Sequence, residues 1–130
     1  MMLLKIISGV FIILHGMVHF WYVVLAAKLV EYKSEMGWTS NSWLLDAVIP
    51  PSIIRIIAVL LYTLAAIVFI VNAVALLLGK AWWSNGLLIA AVISTLTILL
   101  FFDGNGQMLV QKGLIGVIIN LAIILFYYLN

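Results

Sequence analysis

The sequence has no cysteine and very little charge. Without cysteine there can be no disulfide, no thiolate nucleophile and no cysteine-based metal site. Only 8% of the 130 residues are charged and 68% are hydrophobic, whereas about a quarter of the residues of a soluble domain are charged. Six cations and four acids leave a net charge of +2, which is too small and too scattered for a nucleic-acid surface. The solvent of this chain must therefore be largely lipid.

Four hydrophobic runs reach the length of about 20 residues that a helix needs to cross a bilayer. They predict helices at residues 3–30, 51–78, 81–102 and 107–128. The first run is longer than the 7–15 residues of a signal-peptide core, so we expect it to span the membrane. The fold class that follows is all-α: residues 1–130 form one integral membrane domain, an antiparallel four-helix bundle. We expect a multi-pass protein of the plasma membrane.

The connections between these runs agree with a bundle. Pro51 opens the second run, where proline is well tolerated, and the short Gly79–Lys80 link makes runs two and three a hairpin. Residues 103–106 have the composition of a turn. Residues 31–50 form the only long loop, which should lie on the membrane surface. The positive-inside rule places this loop in the cytoplasm and both termini outside.

Helices in lipid associate through small residues and hydrogen bonds, so the buried faces should be small and polar. Alternating steps of three and four residues collect such positions in each run. In the first run they are Ser8, Ile12, His15, His19, Tyr22 and Ala26, and in the second Arg55, Ala58, Tyr62, Ala65, Phe69 and Asn72. In the third they are Ala90, Ala91, Ser94 and Thr97, and in the fourth Gly106, Leu109, Gly113, Gly116, Asn120, Ile123 and Tyr127.

The sharpest feature is a pair of histidines four residues apart, His15 and His19, near the middle of the first run. Such a pair lies on one helix face, and an imidazole at that depth must find a hydrogen-bond partner. Three readings stay open: bonds to Asn72, Asn120 or backbone carbonyls inside the bundle; a ligand or proton pathway; and a metal or haem site. A metal site would need ligands from a second subunit, from water or from a partner, because no third histidine or carboxylate lies at that depth.

A second polar cluster is expected at the bundle end beneath the long loop. There Arg55 could form an ion pair with Asp103 or Asp46, next to Tyr22, or these groups could simply cap helices at the interface. The candidate ligand or proton pathway therefore comprises His15, His19, Tyr22, Arg55, Tyr62, Asn72, Asp103 and Asn120, and the candidate metal ligands are His15 and His19.

The sequence resembles a family of small, largely uncharacterised four-span membrane proteins of bacteria and archaea. The likeness lies in the His15-Gly-x-x-His19 motif, in the paired tryptophans Trp82-Trp83, in the Phe102-Asp103 turn and in the glycine and asparagine of the last run, Gly113 and Asn120. It implies a membrane location and a four-helix fold, and it brings no established activity. The chain is also similar in size to small multidrug transporters, but it lacks the glutamate that they use in their first helix.

We expect a non-enzymatic protein, an accessory or structural subunit of a larger membrane complex or a homo-oligomer. Its partners would be the lipid bilayer and other membrane subunits or further copies of itself, and no nucleic acid. The first alternative is a carrier, pore or lipophilic-ligand site lined by the helix-one histidines. The second is a metal or haem site that uses the histidine pair, although no cofactor is predicted.

Overall fold

In the computed structural model, which describes residues 1–38 and 41–130, the chain is all-helical. The four α-helices are α1 (Met2–Ala26), α2 (Pro51–Leu77), α3 (Trp83–Leu100) and α4 (Leu114–Leu129), with one turn of 3₁₀ helix at Ser34–Met36. The described residues include no strand. The predicted fold class is confirmed. Residues 39 and 40 of the predicted loop lie outside the described residues.

The helices pack in chain order, α1 against α2, α2 against α3 and α3 against α4. The turn between α2 and α3 is tight because Gly79 adopts the left-handed conformation, with φ at +71°. The Lys80 amide then bonds the Ala75 carbonyl at 2.9 Å, which satisfies a free end of α2 and sends α3 back alongside it. The result is an antiparallel bundle.

Three helices, α1, α2 and α3, are long and apolar enough to cross a membrane, which makes this a membrane protein. The fourth is shorter. It has 16 residues, a length of about 24 Å, and it begins at Leu114 rather than at Gln107. Residues 107–113 form turns instead, because Met108 and Gly113 both have positive φ, +54° and +107°.

Small residues let α1 and α2 approach closely. A Cβ on Gly16 would lie 2.8 Å from the Cβ of Phe69 and 3.2 Å from the carbonyl oxygen of Ala66, so only glycine fits there.

The predicted buried faces hold in α1, α2 and α3, except that Ser8 and Arg55 are half-buried. In α4 the predicted positions are also turned inward, Asn120 buried and Gly116, Ile123 and Tyr127 half-buried, whereas Gly106 and Leu109 lie exposed before the helix begins.

The long loop caps the C-terminal end of α3. The Trp38 indole N–H donates to the Phe101 carbonyl at 2.8 Å, the Ser42 hydroxyl to that of Leu100, and the Trp43 indole N–H to that of Leu99 at 2.8 Å. These are carbonyls that a helix end leaves without intrahelical partners. Trp38 is only 1% exposed, so this part of the loop enters the bundle end instead of lying on the membrane surface.

Candidate functional site

Both histidines belong to one buried hydrogen-bond network at mid-length in the bundle. His15 Nε2 lies 2.9 Å from Asn120 Oδ1, and Asn120 Nδ2 donates to Ser94 Oγ at 2.8 Å. Ser94 Oγ in turn lies 2.6 Å from His19 Nε2, and His19 Nδ1 lies 3.1 Å from the His15 carbonyl and 3.2 Å from that of Gly16. The network thus joins α1, α3 and α4 through side chains alone.

The direction of these bonds follows from the groups at each end. Backbone carbonyls can only accept, so Nδ1 of His19 carries the hydrogen and Nε2 of the neutral ring accepts from the Ser94 hydroxyl. Ser94 Oγ therefore receives the amide hydrogen of Asn120, and the Asn120 carbonyl oxygen receives the Nε2 hydrogen of His15. Each donor in the series has an acceptor. Every hydrogen bond of the series therefore forms with both imidazoles neutral.

Aromatic rings of α1 and α2 surround the two imidazoles. The Phe69 ring centroid lies 4.8 Å from that of His15 and 5.5 Å from that of His19. The Phe11 ring is parallel to His15 at 6.5 Å, and Tyr62 lies 6.2 Å from His19. Both histidines are buried, 7% and 2% exposed. These rings fix the orientation in which the imidazoles meet Asn120 and Ser94.

Tyr22 and Tyr62 lie outside this network, in an aromatic cluster at the loop end of the bundle. Their rings stack at 4.9 Å, and Trp38 meets both of them edge-on at 6.1 and 5.6 Å. Phe101 closes the cluster, 5.8 Å from Tyr62. The Tyr22 hydroxyl donates to the Gln111 carbonyl at 3.1 Å. The two tyrosines therefore pack against the loop through Trp38, and Tyr22 also binds the turns that precede α4.

The predicted ion pair of Arg55 with Asp103 or Asp46 is wrong. Asp103 pairs instead with Lys112, Nζ to Oδ2 at 2.9 Å, and Asp46 accepts the Ser42 amide at 3.0 Å. The side chains of Lys112 and Asp103 are only 6% and 13% exposed. The chain between them curls back before α4 begins, which brings the lysine over Asp103 and leaves Arg55 half-buried beside the end of α1.

Asn72 does not reach the histidines, contrary to one of the predicted pairings. Its Nδ2 donates to the Val68 carbonyl one turn back at 2.7 Å, and its Oδ1 has no hydrogen-bond partner among the described residues. That oxygen packs against Gly86 of α3 so closely that a Cβ there would come within 1.7 Å of it. Asn72 thus packs closely against α3 and helps to join it to α2.

Gly86→Ala should lower the free energy of unfolding by about 1–3 kcal/mol, the usual cost of an overpacked core. The new methyl group would overlap Asn72 Oδ1 and push the side chain off the Val68 carbonyl. Gly106→Ala is the matched control, because nothing lies within 4 Å of its Cβ position. Combining Gly86→Ala with Asn72→Ala should recover much of the loss in an unfolding titration in mixed micelles. No recovery would contradict this contact.

The chemical groups of the histidine network favour a structural role. Its inner link is the amide of Asn120, which donates and accepts hydrogen bonds but has no titratable proton, and it ends on backbone carbonyls. Within residues 1–38 and 41–130, no three His, Cys, Asp or Glu side chains gather closely enough to hold a metal ion. Both Nε2 atoms, which a shared metal could otherwise use, are engaged in hydrogen bonds.

Two participants were missed by the sequence reasoning as site residues. Ser94 was placed on the buried face of α3, and its i, i+3 relation to Thr97 gave a signal of a polar face but none of a histidine partner. Lys112 falls inside the helix predicted at residues 107–128, and nothing in its spacing from Asp103 predicts a turn that brings the two side chains together.

Compared with models of protein families, with curated proteins and with solved structures, the chain gives no match.

Proposed function

We propose that this chain is a non-enzymatic membrane component whose working form includes a further membrane protein, either another copy of itself or a subunit of a larger complex. It would cross the plasma membrane four times, as the resemblance to small four-span proteins also implies. The supporting observation is the one-sided packing of α4. This helix buries a single residue, Asn120, whereas α2 buries nine.

The length of α4 supports the same proposal. About 24 Å of helix is short of the roughly 30 Å hydrocarbon core, and short segments relieve such a mismatch partly by associating with other helices. The outward face of α4 is apolar along its whole length. Its exposed residues include Ile115, Ile118, Leu121 and Leu125.

The histidine network supports a structural role for these polar residues rather than a role in catalysis or transport. Its donors are satisfied within the bundle, and the rings around it leave His15 and His19 almost without exposed surface. A carrier or pore lined by His15, His19, Tyr62 and Asn72 would need these side chains to face a common passage. Instead Asn72 bonds the Val68 carbonyl, and Tyr62 stacks on Tyr22.

A cysteine scan provides the test, because the native chain has no cysteine and every introduced thiol is unique. Leu121→Cys on the outer face of α4 should give an oxidative crosslink in native membranes, at twice the mass of the chain for a homo-oligomer or at another mass for a different subunit. Ile67→Cys is the control, since it is 49% exposed on α2, a helix that is packed on two sides.

The native mass of the particle in mild detergent should agree with the crosslinked species. A monomer in every mild detergent, together with equal or absent crosslinking of the α4 and α2 thiols, would overturn the proposal.

A further inference from the structure

The bundle is open along one side, between the first half of α1 and the second half of α4. Near mid-length the two helices are joined by the bond from His15 to Asn120. Below it they separate and leave a groove of about 530 Å³, here called the α1/α4 groove, within the roughly 300–1,000 Å³ typical of small-molecule sites. Its walls include Leu4, Phe11 and Ile12 on one side and Ile119, Ala122 and Ile123 on the other.

The groove has the length of one lipid chain in one leaflet. From Leu4 to Ile12 the helix rises about 12 Å, close to half of the roughly 30 Å hydrocarbon core. Trp83, the first residue of α3, also lines the groove, and tryptophans favour the headgroup level. The groove therefore starts at the membrane surface and ends near the middle of the bilayer.

Lysine side chains at the membrane-surface end of the α1/α4 groove favour one kind of lipid headgroup. Lys5 lines the groove, and its Nζ lies 3.5 Å from the position of a Cβ on Gly79, next to Lys80. Neither lysine forms a salt bridge among the described residues. The acidic residues of the chain are all at the opposite end of the bundle or in its loops: Glu31, Glu35, Asp46 and Asp103.

We propose that the α1/α4 groove binds one acyl chain of an anionic phospholipid, with the phosphate at Lys5 and Lys80. The apolar walls hold the chain, while the two unpaired ammonium groups favour a negatively charged headgroup over a zwitterionic one. A lipid so placed also fills the side of the bundle that the protein leaves open. This site is independent of the interface proposed on the outer face of α4.

The test measures lipid binding to the purified full-length chain by native mass spectrometry. The probes are dioleoyl phosphatidylglycerol and dioleoyl phosphatidylcholine, which share their chains and differ in headgroup charge. A lysine near a membrane surface contributes about 1 kcal/mol toward anionic lipid, which corresponds to about fivefold in affinity. Phosphatidylglycerol should bind at least fivefold more tightly, and Lys5→Gln should remove about fivefold of that preference. Lys33→Gln, in the long loop, should leave it unchanged.

Filling the groove tests the acyl-chain contact separately. Ala122→Trp should reduce binding of both lipids at least tenfold, and the smaller Ala122→Leu should reduce it by less. Leu64→Trp places the same bulk on the outer face of α2, where the native leucine is 45% exposed, and should have no effect. Circular dichroism of each variant shows that it is folded.

Three outcomes would overturn the lipid site. The first is equal affinity for the two lipids, and the second is unchanged binding in folded Ala122→Trp and Ala122→Leu. The third is a dimer that these two variants split without releasing lipid, which would make a second copy the occupant. Because Leu121 lies outside the groove, crosslinking at that position tests the α4 interface whatever the result here.

Discussion

Asn120→Leu should lower the free energy of unfolding by about 2–4 kcal/mol. The substitution leaves the Nε2 hydrogen of His15 without an acceptor and removes the donor to Ser94 Oγ. A buried donor without a partner costs about 1–3 kcal/mol, and interhelical hydrogen bonds in membranes contribute up to about 2 kcal/mol each. The measurement is an unfolding titration in mixed micelles.

The control for this variant is another asparagine with a side-chain bond between α3 and α4. Asn85 accepts the Tyr127 hydroxyl at 2.6 Å, but at an exposed position, where water can replace the lost bond. Asn85→Leu should therefore cost under about 1 kcal/mol. Equal stability of the two variants would refute the structural role of the network.

A double-mutant cycle then separates the bond from the packing. If His15 and Asn120 are both replaced by leucine, the His15 donor no longer lacks an acceptor. The combined loss should be smaller than the sum of the single losses, by about 1–2 kcal/mol. Strictly additive losses would mean that the two side chains stabilise the bundle independently.

Trp38→Ala should be the most destabilising change in the loop, at about 3–5 kcal/mol, the usual range for removing a buried aromatic ring. It would leave a cavity between Tyr22, Tyr62 and Phe101 and free the Phe101 carbonyl that the indole caps at 2.8 Å. Trp38→Phe should keep much of the packing and lose mainly the hydrogen bond, about 1–2 kcal/mol.

Trp43 provides the matched control, since its indole caps the neighbouring Leu99 carbonyl but its side chain is 60% exposed. Trp43→Phe should cost less than Trp38→Phe. Trypsin cleavage after Lys33 should also be faster in Trp38→Ala, because the loop would detach from the end of α3. If the loop resists trypsin equally well in Trp38→Ala and in the control Trp43→Phe, then Trp38 does not anchor it.

The sequence by itself determined the solvent and the fold class. With 68% hydrophobic and 8% charged residues, the chain cannot cover itself with a water-compatible surface, and only helices satisfy the backbone in lipid over such runs. It also predicted the buried faces of α1, α2 and α3, since small and polar residues recur there at helical spacing. Asn120 and backbone carbonyls were correctly among the expected partners of the histidines.

Tertiary structure decided the rest, because it depends on contacts between residues distant in the chain. The turns at residues 107–113 shorten α4, so the predicted face of that run failed at Gly106 and Leu109, which are exposed outside the helix. Lys112, rather than Arg55, pairs with Asp103 because the loop backbone brings it there. The opening between α1 and α4 likewise depends on how these two helices diverge. The spacing of residues within one helix does not predict the angle between two helices.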